Sequence, residues 1–359
     1  MKSILFRINS FFYKFIIFLL KAISFLKFDF NLSWYLFRLL FIISGQKIYY
    51  ETEKNKYYFI KAINKFQKNR KNLYFFKSDQ LDGIVLKNLK NEGISRYDAF
   101  KINENVISNV NIYFKNAEHY YESHSPIPKN KKLKHEKTES LYTSYDLTTQ
   151  LNCSDLLSIC LDERLISIAQ NYIGSAPRLY SLNTFKTLPS NNISNEKYFT
   201  HEFHRDVDNL KWVVFFIFWT DTDKDNGGFQ QIKYSHSNSQ KLNSLIKSKS
   251  KFNTSEKFIQ KTIPGYGMDD EYEKIFNEEI FHCYGKSGTI ISCDTFGLHK
   301  GMPVKTPRLV TWIRYGNFIS RQKQNKAPDL EHKAKLNEKN KTIYKSSKYK
   351  DVLVDLVNN

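Results

Sequence analysis

The hydrophobic pattern changes at Arg178, and this change constrains the fold more than any other feature of the sequence. From there to Tyr315 the apolar residues tend toward a period of two, as in β-strands. The segments that show it are short and rich in Phe, Ile, Val, Thr, Trp and Tyr. The predicted strands are 178–187, 198–206, 212–219, 229–233, 280–284, 288–293 and 308–315. Many short strands after a helical first half predict a mainly β fold with added helices, a sandwich or a jelly-roll barrel.

The residues before Arg178 follow a helical period instead. Apolar side chains recur at helical spacing from Leu156 to Tyr172, and Gly174 and Pro177 end this predicted helix. The 359 residues are enough for one large domain with additions. The predicted parts are a helical segment at 1–45, a mixed helical region at 46–140, a barrel at 141–320 and a Lys-rich tail at 321–359. We expect an exposed loop at 123–139, a polar insert at 238–275 and a last helical turn at 352–357.

The N-terminal segment is apolar but carries regularly spaced basic residues. Arg7, Lys14 and Lys21 interrupt the apolar stretch from Ile4 to Leu26. No uncharged run approaches the roughly 20 residues that a spanning helix needs. A spacing of seven places the three cations in one stripe on a helix, with phenylalanines over much of the rest. This pattern is typical of a helix lying at an anionic membrane surface. The alternative is a helix packed on the domain or on a second subunit.

The net charge of +19 favours anionic partners, such as an acidic membrane or a phosphorylated or carboxylated substrate. A Lys-rich solvated surface accounts for it equally well. No nucleic-acid-binding signature rises above this basic background, so we expect no nucleic acid partner. The four cysteines form no Cys-x-x-Cys pair and no disulfide framework. Reduced thiols predict a cytoplasmic protein, peripheral at the inner face of a membrane if 1–45 binds there.

The segment His201-Glu202-Phe203-His204-Arg205-Asp206 concentrates metal-binding residue types in a predicted strand. Alternate side chains of a strand share a face, so His204 and Asp206 project together. His201 has the opposite parity to His204 and is expected to point away. Glu202 shares the parity of Asp206 and remains a possible neighbour or ligand. The alternative for His204 and Asp206 is a simple ion pair within the strand.

A third ligand must come from a distant segment, and His299 is the best candidate. His282 and Asp294 are weaker rivals. Two His and one carboxylate form the facial triad of non-haem Fe(II) oxygenases. Such a triad leaves three positions open on the metal, two for a chelating 2-oxo acid and one for oxygen.

The far carboxylate of a 2-oxo acid cosubstrate needs a cation near this site. An arginine is expected there, because its planar fork binds a carboxylate bidentately. Arg308 lies nine residues past His299, at the start of a predicted strand. Arg314 has the same strand parity and is the rival. The alternative for Arg308 is an interstrand salt bridge.

These pieces, taken in order, resemble the phytanoyl-CoA dioxygenase family of Fe(II)- and 2-oxoglutarate-dependent oxygenases. The family has a His-x-Asp pair, a second His and then an Arg, as His204, Asp206, His299 and Arg308 stand here. Five further segments are similar to family elements, and the similarity covers about residues 82–316. They are Leu89 to Gly93, Leu156 to Gly174, Trp219-Thr220-Asp221, Asn226-Gly227-Gly228 and Ser235-His236.

The resemblance implies a double-stranded β-helix of the jelly-roll or cupin-like type. It implies that His204, Asp206 and His299 bind Fe(II), that Arg308 pairs with 2-oxoglutarate and that Trp219 flanks this cosubstrate. The implied reaction is hydroxylation of a small or lipid- or sugar-linked anionic substrate, with succinate and CO2 as coproducts. Three positions depart from the family pattern. Arg205 stands where Gln is common, Tyr234 replaces a Pro-Gly lead, and Gly301 stands where a small hydroxyl residue is frequent.

Two other functions remain open. A metal hydrolase could use His201, Glu202 and His204, but the segment is not a helical His-Glu-x-x-His motif. A non-catalytic, membrane-associated barrel would account for the N-terminal segment but leave the complete triad unexplained. A halogenase is disfavoured, because Asp206 fills the position that a halide needs. The sequence leaves the oligomeric state undetermined.

Overall fold

The computed structural model describes residues 80–122, 142–189, 201–206, 211–249, 269–316 and 333–358, without 99, 225, 238 and 355. It also describes the single residues 254, 258, 259 and 262. The predictions made for residues 1–79, for the loop at 123–139 and for 321–332 lie outside the described residues. Within the described part of the chain, no helix is long and apolar enough to cross a bilayer.

Two antiparallel sheets organise the described part of the chain. In chain order the strands are β1 (Ile94–Arg96), β2 (Tyr120–Glu122), β3 (Tyr142–Ser144), β4 (Arg178–Thr187), β5 (Trp212–Phe218), β6 (Phe229–Ile232), β7 (Ile280–Cys283), β8 (Ile290–Cys293), β9 (His299–Gly301) and β10 (Arg308–Gly316). The larger sheet has the order β1-β8-β5-β10-β4-β3-β2, and the smaller has the order β7-β6-β9. A bridge between His204 and His299 adds the segment 201–206 beside β9. β10 is thus a central strand, paired on both sides.

Helices precede the main strands, lie between them and follow them. In chain order they are α1 (Gln80–Glu92), α2 (Glu104–Asn116), α3 (Leu147–Leu151), α4 (Ser154–Cys160), α5 (Glu163–Ile173), α6 (Gln240–Lys249), α7 (Asp269–Phe276) and α8 (Glu338–Ser346). The single helix predicted from Leu156 to Tyr172 is wrong, because α4 and α5 divide it. Asp162 accepts a hydrogen bond from the backbone N–H of Arg164 and so caps a new helix.

The larger sheet is buried on both faces, which explains why β5 is an unbroken apolar run. Val213, Phe215 and Ile217 pack against the helices in one hydrophobic cluster. Val214, Phe216 and Phe218 face the other way, in a second cluster that includes residues of the smaller sheet and of the 238–275 insert. β10 divides in the same way, so its even-numbered residues share the face of the second cluster. The candidate site lies on this face.

The mainly β architecture with added helices is confirmed. The predicted strands 178–187, 212–219, 229–233, 280–284, 288–293 and 308–315 agree with β4, β5, β6, β7, β8 and β10 to within two residues. The three-residue strands β1, β2, β3 and β9 were missed, since three residues are too short to show a period. Of the predicted strand 198–206, the described residues 201–206 form only an isolated bridge at His204. In the Lys-rich tail, α8 buries Asn340 and Tyr344 against the helical side of the fold.

Candidate metal centre

The three predicted metal ligands meet where the segment 201–206 lies beside β9. His204 and His299 exchange both backbone N–H···O bonds, at 2.9 and 3.0 Å, and their ring centroids are 4.3 Å apart. The backbone N–H of Asp206 donates to the carbonyl of Thr295 at 2.9 Å, which fixes the end of the segment. One ligand atom from each of the three residues lies within 4.8 Å of the others. Among the described residues, this is the cluster of His, Cys, Asp and Glu that could hold a metal ion.

Both imidazoles are oriented by backbone carbonyls. Nδ1 of His204 donates to the carbonyl of Glu202 at 2.8 Å, and Nδ1 of His299 donates to that of Gly297 at 2.9 Å. A carbonyl only accepts, so the proton lies on Nδ1 and Nε2 keeps its lone pair for a metal. Burial, followed by the proximity of His204, lowers the pKa of His299 to about 3. His299 is therefore neutral at physiological pH, as a metal ligand must be.

The carboxylate of Asp206 is the anionic member of the cluster. Its burial raises the pKa, but Arg314, His299, His204 and a hydrogen bond with the Thr295 side chain together outweigh that effect and hold the pKa below its ordinary value. Oδ2 of Asp206 lies 3.1 Å from Nη2 of Arg314 and 3.7 Å from Nε2 of His299. The donor set is thus two imidazole nitrogens and one ionised carboxylate.

The rival ligands of the sequence analysis have other partners. His282 is exposed on β7 and contacts the side chain of Gln230. Asp294 accepts hydrogen bonds from the hydroxyl of Tyr172 and the backbone N–H of Phe296. His201 lies 3.2 Å from the hydroxyl of Tyr142. None of the three belongs to the metal cluster found among the described residues.

Arg308 lies at the start of β10, on the same strand face as Arg314, and is buried. Its guanidinium donates to the carbonyl of Gly227 and to the hydroxyl of Thr187. Nε of Arg308 is buried and has no hydrogen-bond partner among the described residues, and no described carboxylate pairs with the guanidinium. Burial lowers the pKa of Arg308 to about 10, which still leaves it charged. A buried cation with an unused donor is suited to an anionic ligand.

Gly227 explains why this arginine fits against the chain. A Cβ atom at Gly227 would lie 3.0 Å from Cδ of Arg308 and 2.5 Å from a methyl group of Val304. Its φ of 71° is also in the left-handed region that favours glycine. The Asn-Gly-Gly segment therefore serves the close approach of the Arg308 side chain.

Trp219 lies on the other side of the larger sheet. It belongs to the helix-side cluster, and its indole N–H donates to the hydroxyl of Thr311 at 2.7 Å. Its contact with a cosubstrate stays a prediction, and we leave it out of the site. Sequence reasoning missed Trp312, which faces the interior between Arg308 and Arg314 and is only partly buried. The parity of β10 was the signal that could have found it.

No family model matches the sequence, and no curated protein matches it. Solved structures are similar over much of the chain at low identity. They include the non-haem α-ketoglutarate-dependent epimerase SnoN from nogalamycin biosynthesis (10% identity, TM-score 0.42, covering 65% of this chain and 81% of that one). HygX from Streptomyces hygroscopicus, with nickel and 2-oxoglutarate bound, has 12% identity, a TM-score of 0.43 and coverages of 67% and 87%. EctD from S. alaskensis, in its apoform, has 12% identity and a TM-score of 0.44, and the match covers 74% of this chain and 91% of that one.

Proposed function

We propose that this chain is an Fe(II)- and 2-oxoglutarate-dependent oxygenase of the phytanoyl-CoA dioxygenase type. It hydroxylates a small or lipid- or sugar-linked anionic substrate and releases succinate and CO2. One observation carries the proposal. His204, Asp206 and His299 offer three ligand atoms within 4.8 Å of one another, and Arg308 is a buried arginine without a carboxylate partner among the described residues.

The donor set fits Fe(II). Two imidazole nitrogens and one carboxylate, held on one side of a metal, would leave coordination positions open for further ligands. The carbonyls of Glu202 and Gly297 fix both rings before any metal binds, which reduces the cost of assembling the site. With 2-oxoglutarate and O2, bound Fe(II) supplies the oxidation of a C–H bond to C–OH, one oxygen atom entering the product and the other entering succinate.

The strand order supports a double-stranded β-helix. From β4 onward the chain crosses repeatedly between the two sheets. The segments of the larger sheet are β4, β5, β8 and β10, and those of the smaller sheet are 201–206, β6, β7 and β9. Each sheet thus contributes four of these eight segments, as in a jelly roll. The metal ligands come from the smaller layer, and Arg308 and Arg314 come from the larger layer.

The surroundings of Arg308 support its role as the partner of the far carboxylate of 2-oxoglutarate. Thr187 on β4 adds a hydroxyl beside the guanidinium, and Arg308 Nε is an unused buried donor. A carboxylate bound there gains charge-assisted hydrogen bonds in a place shielded from water. The near end of the same molecule, a 2-oxo acid group, would chelate the metal held by His204, Asp206 and His299.

The test is an anaerobic titration of the purified chain with Fe(II) and then with 2-oxoglutarate. We expect one iron per chain and a visible charge-transfer band that saturates with the cosubstrate. Exposure to O2 then yields succinate, slowly in the absence of the substrate. Stoichiometric iron without any band would overturn the cosubstrate assignment, and failure to bind iron would overturn the whole proposal.

We keep the binding of residues 1–45 to an anionic membrane surface as a second part of the proposal. Arg7, Lys14 and Lys21 supply the charge, and all four cysteines are free thiols, which suits a reducing cytoplasm. Flotation with anionic and with neutral vesicles tests it. We expect binding to anionic vesicles that salt weakens, and binding to neither kind would favour packing or dimerisation.

A further inference from the structure

Arg314 crosses the interior of the fold to reach a metal ligand. It lies on the central strand β10, opposite Ser181 of β4 and Val214 of β5. Directly after it the register between β10 and β4 shifts, so that Tyr315 pairs with Leu179. Such irregularities bend a strand and re-aim the neighbouring side chain. The guanidinium of Arg314 meets Asp206, which belongs to the other layer.

The guanidinium is held on two sides. Its Nη2 lies 3.1 Å from Oδ2 of Asp206, and its central carbon lies 4.2 Å from the ring centroid of Trp312. The side chain of Arg314 is 6% exposed and that of Asp206 is 19% exposed, so water screens the ion pair little. The stacked ring and the ion pair together give Arg314 one defined position.

A carboxylate that is free to turn can bind a metal through both of its oxygens and then takes two coordination positions. We propose that Arg314 is a positioning residue that holds Oδ2 of Asp206, the oxygen 3.7 Å from Nε2 of His299, and so fixes this carboxylate in an orientation that makes a single metal bond. The coordination position beside Asp206 then stays open for a 2-oxo acid. This inference rests on the proposed function, since it concerns the same metal site.

Two consequences follow for a variant without this guanidinium. Metal binding is not weakened, because the buried Asp206 loses its cationic partner and gains by binding a metal. Chelation of a 2-oxo acid is weakened, because Asp206 occupies a position that the ligand needs. The loss is the same for every 2-oxo acid, since Arg314 acts at the metal end. Arg308, in contrast, acts only on a far carboxylate.

The experiment compares the wild type with Arg314→Met, Arg314→Lys and Arg308→Met. Metal affinity and coordination are read from Co(II) titrations and the visible Co(II) spectrum. Anaerobic Fe(II) protein is then titrated with 2-oxoglutarate and with 2-oxobutyrate, which lacks the far carboxylate, and the charge-transfer band is followed. We expect Arg314→Met to keep Co(II) affinity, to change the Co(II) spectrum and to weaken both 2-oxo acids equally, by about tenfold to 100-fold. Arg314→Lys should recover part of this loss.

Arg308→Met should weaken 2-oxoglutarate and spare 2-oxobutyrate, so the ratio of the two affinities separates the two arginines. If Arg314→Met removes the preference for 2-oxoglutarate, Arg314 binds the far carboxylate and the inference is wrong. Unchanged affinity for both acids, or loss of Co(II) binding in a variant that melts like the wild type, overturns it as well. A wild type that gives no band with either acid contradicts the proposed function instead, and the Co(II) spectra still decide the role of Arg314.

Discussion

The two ends of β10 carry the same residue type in opposite circumstances. Arg314, near the metal cluster, ion-pairs with Asp206 and stacks on Trp312. Arg308, six residues earlier on the same face, is equally buried but meets only a backbone carbonyl and a hydroxyl among the described residues. The first arginine has its counter-charge within the protein, whereas the second has none in the part of the chain that the structure describes. A buried charge without a counter-ion is costly, so we interpret the Arg308 end as built for a ligand and the Arg314 end as built for the metal.

The largest effect is expected from variants that lose a metal ligand, because the roles proposed for both ends of β10 depend on the metal. His204→Ala or Asp206→Ala takes away one of three ligands, and we expect the loss of stoichiometric Fe(II) binding, by more than about 100-fold in affinity. Equilibrium dialysis with iron analysis measures this. The matched control is His282→Ala, which removes an exposed histidine of β7 outside the cluster and should bind Fe(II) like the wild type. Wild-type iron affinity in both ligand variants would contradict the triad.

The next effect separates the two ends. Arg308→Met should cost about 2–5 kcal/mol in 2-oxoglutarate binding, because a carboxylate is left in a buried place without its partner. Fe(II) binding should be unchanged, since Arg308 is not a ligand. Arg308→Lys keeps the charge but not the planar fork, so it should recover only part of the affinity. The charge-transfer titration compares 2-oxoglutarate affinity in the wild type, Arg308→Met and Arg308→Lys. An unaltered midpoint in Arg308→Met would show that the far carboxylate binds elsewhere.

Sequence reasoning predicted the longer strands and the three residues of the candidate metal cluster but could not separate the two arginines. The period of two placed His204 and Asp206 on one face and identified β10, because side-chain parity and strand periodicity are local properties of the sequence. Arg308 and Arg314 share strand parity, so the same rule treats them alike. Their difference arises from a contact across the fold and from a register shift beside Arg314, which no local pattern encodes.

Trp219 shows a signal that was present in the sequence and not used. It shares the parity of Val213, Phe215 and Ile217, which all face the helices. The family resemblance placed it at the cosubstrate, whereas the alternation of β5 favours the opposite face. The strand parity of this chain and the family resemblance thus predict opposite faces of the sheet for Trp219.

A smaller effect tests the Arg308 end through the backbone. Gly227→Ala should reduce the free energy of unfolding by about 1–3 kcal/mol, because the new Cβ meets Val304 and Arg308 at a positive φ. It should also weaken 2-oxoglutarate, since the guanidinium must shift. Gly288→Ala is the matched control: its φ is also positive, but its Cβ meets Ile107 of α2. Chemical denaturation and the charge-transfer titration together measure both losses. Equal weakening of 2-oxoglutarate by the two variants would show that Gly227 has no special relation to Arg308.

The smallest effect concerns the face of the larger sheet that we leave out of the site. Trp219→Phe removes the indole N–H that bonds to the hydroxyl of Thr311 but keeps an aromatic ring in the helix-side cluster. A single neutral hydrogen bond contributes about 1 kcal/mol, so a loss of this size in the free energy of unfolding is expected. Binding of 2-oxoglutarate should stay within about twofold of the wild type, because Trp219→Phe removes no bond to the cosubstrate. A twofold change in affinity corresponds to less than RT, which is about 0.6 kcal/mol. Thr311→Val removes the same hydrogen bond from the other partner, and with it the bond between the hydroxyls of Thr311 and Thr184. Its loss in the free energy of unfolding should therefore be larger, while its binding of 2-oxoglutarate should match that of Trp219→Phe. A tenfold weakening of 2-oxoglutarate in Trp219→Phe, without the same change in Thr311→Val, would instead place the Trp219 ring beside the cosubstrate. The sheet face assigned to the site would then have to be revised, since Trp219 and Arg308 could not both contact one ligand from opposite sides of the sheet.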